Sequence, residues 1–589
     1  MTSLAKILSE RVGAVFEAQG LPAELGAVRV SDRPDLCQFQ CNGAMAAAKK
    51  AGKNPRELAG VIVEALKNDA DIAKVELAGP GFINIDLTEA AIADFTALQA
   101  QDERFGAQAY PKDTIILDYG GPNIAKPMHV GHLRASIIGD SLRRIYLFAG
   151  YKALGDVHMG DWGTPMGQII SELEIRGILD KPLSMDDLEE IYPIASKACK
   201  EDEARMERAR AATAKLQDGD PTYRKVWQQF IDVSIAGMKA NFDALGVHFD
   251  LWKGEASVHD LIAPMVEALK AKGLAQEDDG AVVVPVALEG DSKEIPPLIL
   301  YKRDGAVMYG TTDLATIVDR MREYSPAPAK MIYVVDQRQS LHFEQVFRAA
   351  RLGGIAPAEA VELIHAGFGT MNGTDGKPFK TRAGGVMKLE DLIANGVEKA
   401  RQRLDEANLS AEIGLEERED IAHKVAIAAI KFADLQNNRI ADYVFDLDRM
   451  TSFEGKTGPY LLYQAVRIKS LLRKAEAQGV GLSEAQENSQ CEGGVAAKII
   501  IQEADRALAL MMAEFPDHFD LALRNNTPHV LCDYAYRLAQ AFSSFYSNCH
   551  ILSEPDAAIR TSRLMLCDMT ARQLELVLNL LGIAVPDRM

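Results

Sequence analysis

The sequence predicts an α/β fold built on a parallel sheet with helices packed on it, with a small α+β unit before it and an all-α region after it. Between about residues 111 and 394, short strand-like runs alternate with helical stretches, which is typical of parallel sheets. Beyond about residue 395 the sequence is almost entirely helix-forming, and no strand is predicted there. With 589 residues and 48% hydrophobic content, the chain has enough material for roughly two to four domains.

Residues 1–105 form the first predicted unit. This unit opens with the helical pattern LAKILSERVGAVFEA and closes with VELAGPGFINIDL, in which a Gly-Pro-Gly turn separates two short strands. The polar segment QDERFGAQAYPKD, which carries Gly and Pro, then predicts a linker before the strand TIILDY.

The middle unit, residues 111–394, contains four strand-like runs, TIILDY, AVVVPV, MIYVVD and VELIHAG, which we expect to pair in one parallel sheet. Charged helical stretches around residues 186–250 predict helices inserted between the sheet units, and no chemistry is evident in them. Residues 395–454 predict a helical connection, and residues 455–589 predict an all-α domain.

The formal net charge of -19 argues against a nucleic-acid partner, because Lys and Arg must neutralise phosphates in such complexes. The charge is unevenly distributed, however: residues 1–110 carry -4 and residues 455–589 carry -2, so the middle of the chain carries most of it. A basic stripe in the last unit is formed by Lys456, Arg467, Lys469, Arg473 and Lys474. Such a stripe is as typical of solvated helix surface as of RNA contact, so both readings stay open.

Composition also limits the compartment and the metal chemistry. No run of eighteen apolar residues occurs and the first residues do not resemble a secretory signal, so we expect a cytoplasmic protein. Seven cysteines spread along the chain fit a reducing compartment. Only Cys37 and Cys41 lie close together, and since no second pair of ligands follows them we expect no structural metal.

The most informative segment is LDYGGPNIAKPMHVGHLRASIIGDSLRRI, where a strand leads through a glycine turn into a helix that begins near His129. His129 and His132 are three residues apart in the first helical turn, so both rings project to the same side. A helix N-terminus favours polyphosphate, and histidines there can donate to phosphate oxygens. Gly131 leaves room for a nucleotide against the backbone, and Lys126 adds a mobile cation. Two isolated histidines would more often be ordinary helix-surface residues. Here the order of strand, glycine turn, lysine and His-x-Gly-His favours a nucleotide-binding site.

This segment resembles the HIGH signature of class I aminoacyl-tRNA synthetases, in the form found in arginyl-tRNA synthetases. Further blocks resemble the same family, and the resemblance covers essentially the whole chain: GDVHMGDWGTPMG (155–167), GTMNGTDGKPFKTRAGG (369–385), GPYLLYQAVRIKSLL (458–472) and the terminal LNLLGIAVPDRM. It implies a Rossmann-type catalytic domain between an N-terminal tRNA-binding domain and a C-terminal anticodon-binding domain. It also implies that arginine is activated with ATP and Mg²⁺ to arginyl-adenylate and transferred to the terminal ribose of tRNA(Arg).

The resemblance assigns residues to the ATP site. His129, His132 and Lys126 would be catalytic, and the nucleotide would also contact Gly131, Phe368, Lys380 and Arg382. One departure concerns the loop that reads KMSKS in many class I enzymes, because Pro378 and Thr381 stand where that motif has lysines. Arginyl enzymes often lack the motif, and a lysine just before the HIGH sequence, here Lys126, is thought to replace its charge. Lys377, Lys380 and Arg382 remain open as alternatives.

The resemblance also assigns residues to arginine and to tRNA. A guanidinium calls for carboxylates and neutral acceptors around a flat slot. The positions that match the family's arginine contacts are Asp118, where the family commonly has Glu, Asn123, Tyr309, Asp313 and Gln339. For tRNA, the candidates are Phe82 and Asn84, which share one face of a strand and match D-loop contacts, and Tyr460, Tyr463 and Gln464 near the anticodon.

Two alternatives stay open from the sequence. The chain could be another HIGH-bearing enzyme, either a synthetase for a different amino acid or a small adenylyltransferase, although the latter would have little use for the flanking units. It could also be a catalytically silent relative that binds tRNA. We expect a monomer that binds ATP, arginine and tRNA(Arg) and no membrane.

Overall fold

The structure is a computed structural model, and it describes residues 2–52, 54–303, 305–377, 379, 387–407, 409, 413–482 and 499–589. Helices and strands are numbered below in chain order. The predicted fold class is confirmed: a parallel sheet with helices lies between an N-terminal α+β unit and C-terminal helices.

The N-terminal unit is a four-stranded antiparallel sheet covered by helices, with strand order β1-β2-β4-β3. Its elements are α1 (Leu4–Ala18), β1 (Val28–Val30), β2 (Phe39–Cys41), α2 (Gly43–Ala51), α3 (Pro55–Leu66), β3 (Ile72–Ala78), β4 (Phe82–Leu87) and α4 (Glu89–Gln101). The predicted Gly-Pro-Gly turn joins β3 to β4, and Gly79 adopts a positive φ of 48° there. Ser3 caps α1 by accepting a hydrogen bond from the amide of Lys6.

The middle of the chain carries the parallel sheet. Its elements are β5 (Thr114–Asp118), α5 (Leu133–Ala149), β6 (Lys152–Asp156), α6 (Thr164–Arg176), α7 (Met185–Glu201), α8 (Glu203–Gln217), α9 (Pro221–Leu245), α10 (His259–Ala271), β7 (Gln276–Asp278), β8 (Ala281–Val284), β9 (Leu298–Tyr301), α11 (Tyr309–Glu323), β10 (Lys330–Tyr333), α12 (Ser340–Leu352), β11 (Glu362–His365) and β12 (Met371–Asn372). The sheet has the order β11-β10-β5-β6, with all three pairings parallel. Three apolar residues in the middle of β5 are fully buried, as expected for a central strand covered on both faces.

One predicted strand of this sheet is wrong. The run AVVVPV becomes β8, which belongs to a separate antiparallel sheet of order β7-β8-β9. The turn between β7 and β8 contains Asp279 and Gly280, both at positive φ, which is typical of a tight hairpin. A local apolar run shows that a strand forms but does not show which strand it pairs with.

Of the described residues from 389 onward, all but one short strand form helices or the connections between them. The elements of this part are α13 (Leu389–Glu406), α14 (Leu415–Leu435), β13 (Tyr443–Val444), α15 (Leu447–Met450), α16 (Gly458–Ala477), α17 (Glu503–Ala513), α18 (Phe515–Asn525), α19 (His529–Asn548) and α20 (Ala557–Leu580). The expectation that no strand follows residue 395 is wrong at β13, which pairs in parallel with β12. Two residues of pairing are too few to leave a periodic signal in the sequence.

The C-terminal helices pack against both other units. Ser141 in α5 donates to the carbonyl of Leu580 at 3.0 Å, and Tyr146 in α5 donates to Asn526 at 2.9 Å. Gln99 in α4 donates to the carbonyl of Met512 at 3.1 Å, which joins the N-terminal unit to the same helices. Within the described parts of the chain, none of the helices has the length and apolar character needed to cross a membrane.

Candidate active site

The candidate site lies where the parallel strands end. β5 ends at Asp118 and β6 ends at Asp156, and their carboxyl ends open toward the same edge because all strands run in one direction. Ligands of open α/β sheets bind at this edge. The chain leaves β5 through Gly120 and Gly121, whose φ values of 88° and 50° need glycine, and then reaches the histidine segment.

The histidine pair is held by backbone hydrogen bonds. Val130–His132 form a 3-10 turn in front of α5, so the predicted α-helix begins at Leu133, slightly later than expected. The amide of Gly131 donates to Nδ1 of His129 at 3.0 Å, and the amide of His129 donates to Nδ1 of His132 at 3.2 Å. The two ring centroids are 4.1 Å apart. Because both Nδ1 atoms accept, each neutral ring carries its proton on Nε2 and can donate from there.

Both imidazoles are held in the neutral form. Burial and the neighbouring His129 lower the pKa of His132 to about 4, and burial together with Lys126 lowers the pKa of His129. Charged imidazolium is therefore disfavoured at neutral pH. Neutral donors that are already oriented can stabilise negative charge as it develops on a phosphate, without a proton transfer.

A glycine is needed at position 131 because the His129 ring leaves no room for a side chain there, and not because of the backbone angle. A Cβ atom at this position would lie 2.7 Å from Cε1 and 2.8 Å from Nδ1 of His129. Any larger residue would therefore push the His129 ring away from its place beside His132.

The segment that follows residues 369–385, the block that contains the counterpart of the KMSKS loop, pairs with the histidine segment. Lys388 forms an antiparallel bridge with His129, and the amide of Val130 donates to the carbonyl of Met387 at 3.1 Å. Lys380 and Arg382 lie outside the described residues. Phe368 is buried, and the Arg134 guanidinium of α5 lies 5.7 Å from its ring centroid.

A cavity of about 830 Å³ lies beside Asn123, Ile124 and Lys126, just before the histidine pair. That volume fits a small-molecule substrate site. Among the predicted residues, Asn123, Lys126 and Tyr309 line it, whereas His129, His132, Asp118, Asp313 and Gln339 do not. Helix α8 contributes a wall that includes Arg210 and Gln217.

The predicted pair Tyr309 and Asp313 lies in the first turns of α11, as the spacing of four indicates. Tyr309 is 56% exposed, which is high for an aromatic residue and leaves its ring accessible from the cavity. Asp313 contacts Nε2 of His342 in α12 at 2.5 Å, and the His342 ring centroid lies 4.5 Å from that of Tyr309. No spacing pattern in the sequence had indicated that His342 belongs to this group.

Glu255 is the main site residue that sequence reasoning missed. It lies at the start of a 3-10 turn, Glu255–Val258, and lines the cavity together with Tyr309. Burial raises the pKa of Glu255 to about 7, with further raising by Asp161 and Asp313 and an opposing effect of His158. Its carboxylate has no hydrogen-bonding side chain as a partner among the described residues, so it is the acidic group in the cavity wall best able to accept a cation. A single Glu in WKGEASV has no spacing signal that could have identified it.

Asp118 forms an ion pair with a buried arginine of the protein. Arg320 of α11 is buried and contacts both Asp118 and Asp156 at 2.6 Å. Burial raises the pKa of Asp118, although Arg320 opposes this effect. Asp118, Asp156 and His158 place their donor atoms within 4.8 Å of one another, but the Arg320 guanidinium already contacts both carboxylates and would repel a divalent cation, so the cluster does not fit one.

The remaining predicted residues fall into two groups. Gln339 is exposed, at the end of a 3-10 turn before α12, and it lies away from the cavity. In the N-terminal unit, Phe82 is half-buried on β4, while Asn84 is buried and accepts a hydrogen bond from Gln40 at 2.9 Å. Any base contact on this face would therefore involve Phe82 and Gln40 more directly than Asn84.

The C-terminal helices carry a basic cavity of about 380 Å³. Its lining includes Tyr463, Arg467, Arg473, Lys474, Tyr546, Arg588 and Met589. The Arg467 guanidinium lies 4.0 Å from the ring centroid of Tyr546. Charged donors beside aromatic faces are the surface that single-stranded RNA requires.

Tyr460 and Gln464, predicted alongside Tyr463, do not line this cavity. The Tyr460 ring packs on Tyr536 at 5.8 Å, and Gln464 is buried. Both residues therefore face the packed side of α16, away from the surface that Tyr463 shares with Arg467.

Comparison with known families accounts for nearly the entire chain. Residues 2–87 match the arginyl tRNA synthetase N terminal domain, residues 94–447 match the catalytic domain of class I (R) tRNA synthetases, and residues 461–589 match the DALR anticodon binding domain. The catalytic match begins at residue 94, within α4, and continues through α13, α14 and β13, so its limits differ from those of the parallel-sheet unit described above.

Individual proteins give the same result. The chain is 51% identical to an arginine–tRNA ligase of Hyphomonas neptunium and 50% identical to one of Maricaulis maris, in each case over all of both chains. Among solved structures, it resembles arginyl-tRNA synthetase of Plasmodium falciparum with a TM-score of 0.81 and 25% identity, covering both chains fully. The Thermus thermophilus enzyme has the same fold, with a TM-score of 0.80, 23% identity and full coverage of both chains. This chain belongs to the arginyl-tRNA synthetase family of class I aminoacyl-tRNA synthetases.

Proposed function

We infer that this chain is an arginine–tRNA ligase, which activates L-arginine with ATP and transfers it to tRNA(Arg). The observation that carries the inference is the carboxylate of Glu255, which has no side-chain partner in the described part of the chain and lines a cavity with Tyr309 and Lys126. Lys126 lies three residues before the histidine pair. A cationic amino acid and a polyphosphate thus have complementary surfaces next to each other. Membership of the family and the relatives named arginine–tRNA ligase support the same activity.

The first step needs positioning and electrostatics more than proton transfer. The arginine carboxylate attacks the α-phosphorus of ATP, and the bond to the β-phosphate oxygen breaks, giving arginyl-adenylate and pyrophosphate. The Nε2–H groups of His129 and His132 donate to the phosphate oxygens as their charge grows, and Lys126 adds a positive charge. Mg²⁺ enters with ATP as part of the substrate, held mainly by phosphate oxygens and water.

Arginine itself is held mainly at its guanidinium group. The guanidinium pairs with the Glu255 carboxylate and lies against the Tyr309 ring, which gives both charge pairing and a flat face, while Asp313, held by His342, adds negative charge nearby. For the rest of the substrate, the family resemblance points to Asn123, which lines the cavity, and to Asp118, whose carboxylate also contacts Arg320. The role of Gln339 stays a prediction from the family resemblance.

The second step transfers arginine to tRNA. A terminal ribose hydroxyl of tRNA attacks the activated carbonyl, and AMP leaves. The basic cavity around Tyr463 and Arg467 would hold the anticodon region, and the face around Phe82 and Gln40 would contact a base of the D-loop. A monomeric state and a cytoplasmic location remain predictions from the sequence.

The deciding experiment is ATP–pyrophosphate exchange measured with each of the twenty amino acids, with and without tRNA. Exchange driven by arginine alone among the amino acids supports the proposed function. Exchange driven by another amino acid would assign the chain to a different synthetase, and a protein that binds tRNA without any exchange would be a silent relative. Either of these outcomes would overturn the proposal.

A further inference from the structure

Helix α7, which the sequence showed only as part of a charged insertion, contacts the candidate ATP site with one face. Glu189 and Tyr192 are three residues apart and therefore lie on the same side of the helix. The start of α7 is fixed by a capping box, in which the amide of Asp187 donates to Ser184 and the amide of Ser184 donates to Asp187. The face that carries Glu189 and Tyr192 is thus presented from a well-defined helix.

Tyr192 lies against Lys126. The Lys126 ammonium is 4.8 Å from the ring centroid of Tyr192, which is within the range of a cation–π interaction. The same lysine lines the main cavity and comes three residues before His129. The Tyr192 hydroxyl has no hydrogen-bonding partner among the described residues, so the ring is the part of this side chain that acts on Lys126.

Glu189 lies against Lys388, in the segment that pairs with His129. Its carboxylate contacts the ammonium of Lys388 at 2.8 Å. Lys388 forms the backbone bridge with His129, and the amide of Leu389 donates to the carbonyl of Met128 at 3.0 Å. One helix face therefore contacts both cationic residues that flank the histidine pair in space.

We propose that α7 is a positioning element of the ATP site: the Tyr192 ring holds the Lys126 ammonium at the cavity, and Glu189 fixes the segment that pairs with His129. This inference rests on the proposed function, because it concerns how Lys126 meets the triphosphate. A lysine side chain has four rotatable bonds, and an aromatic face restricts the volume its ammonium samples before ATP arrives. Tyr192 acts through Lys126 and touches no substrate itself.

The test is a double-mutant cycle between Lys126 and Tyr192, measured as arginine-dependent ATP–pyrophosphate exchange at saturating tRNA. Tyr192→Leu is expected to raise the KM for ATP by roughly three- to tenfold, which corresponds to losing one partly desolvated cation–π contact. The KM for arginine should change by less than about twofold, because that ligand's contacts lie elsewhere. Tyr192→Phe keeps the ring and should match the native enzyme, whereas Tyr192→Leu in a Lys126→Met background should have no further effect.

Glu189→Gln gives a second and independent measurement if Tyr192→Leu fails to fold. It removes the ion pair with Lys388 at nearly constant shape and should also raise the KM for ATP. Glu201→Gln is the matched control, because Glu201 pairs with Lys197 on the exposed surface of the same helix, and it should leave exchange unchanged.

Two results would overturn the positioning role. One is an unchanged KM for ATP in both Tyr192→Leu and Glu189→Gln, and the other is an equal effect of Tyr192→Leu with and without Lys126. Failure of the proposed function is distinguishable from both, since the native protein would then show no arginine-dependent exchange at all.

Discussion

The pH dependence of arginine binding follows from Glu255. Its pKa of about 7 means that the carboxylate is mostly protonated at pH 6 and mostly ionised at pH 8. A guanidinium binds the ionised form, so binding weakens as pH falls. From about 9% ionised at about pH 6 to about 91% at about pH 8, the KM for arginine should fall about tenfold, equivalent to about 1.4 kcal/mol.

The assay is the KM for arginine in ATP–pyrophosphate exchange at several pH values across this range, at saturating ATP and tRNA. Glu255→Gln should raise the KM at pH 8 by roughly ten- to a hundredfold, the usual cost of losing a charge-assisted hydrogen bond. The variant should also lose most of the pH dependence. Asp161, whose pKa burial raises to about 6, and the Asp313–His342 pair lie nearby, so the variant identifies which group is responsible.

An equilibrium measurement checks the same reasoning without turnover. The increase in melting temperature caused by arginine should be larger at pH 8 than at pH 6. The stability of the protein without arginine should change with pH in the opposite direction. Because burial raises the pKa of Glu255 from 4.5 to about 7, the contribution of this residue to stability is present below pH 4.5 and is lost as pH rises through 7. A KM that does not vary with pH in the native enzyme, or that varies equally in Glu255→Gln, would refute this account.

Three further predictions concern the histidine segment and the basic cavity. Gly131→Ala should displace the His129 ring, whose Cε1 lies 2.7 Å from the new Cβ, and lower the exchange rate by at least about tenfold while the melting temperature stays nearly constant. His132→Ala should lower kcat for exchange by roughly one to three orders of magnitude and leave the Kd for tRNA unchanged, and an unaltered rate would mean that the pair is structural. Arg467→Ala should raise the KM for tRNA and reduce the slope of its salt dependence by about one, without changing exchange at saturating tRNA; a constant slope would place the anticodon elsewhere.

The sequence predicted those parts of the fold and site that local patterns encode. The β3–β4 turn at Gly79 and the meeting of His129 with His132 both depend on residues a few positions apart. The pairing of AVVVPV was predicted wrongly, since the choice of partner strand depends on residues far away in the chain. Gln464 shows a similar limit of prediction on a helix. The pattern of apolar residues in α16 did not show whether this side chain faces the core or the solvent.

Glu255 and Arg320 were missed for a different reason. Each is an ordinary charged residue in the sequence, and its role comes from burial and from what surrounds it. Arg320 reaches Asp118 and Asp156 across more than a hundred and sixty residues of chain separation, so no spacing rule could have linked them. Such groups become visible only when the distances are known.

The partners of the carboxylates around the candidate site explain how a site with several acidic residues could bind one guanidinium at one position. Two carboxylates at the strand ends, Asp118 and Asp156, both contact Arg320, and Asp313 has His342 as a partner. Glu255 lines the cavity without such a partner among the residues that the structure describes, and burial together with the neighbouring carboxylates makes its ionisation costly until a cation arrives. The proposed guanidinium contact therefore rests on the position of Glu255 in the cavity more than on the total charge of -19. A neutral side chain in the same cavity would leave Glu255 protonated and gain no charge pairing, so the discrimination in favour of arginine equals the free energy of that pairing minus the cost of ionising the carboxylate.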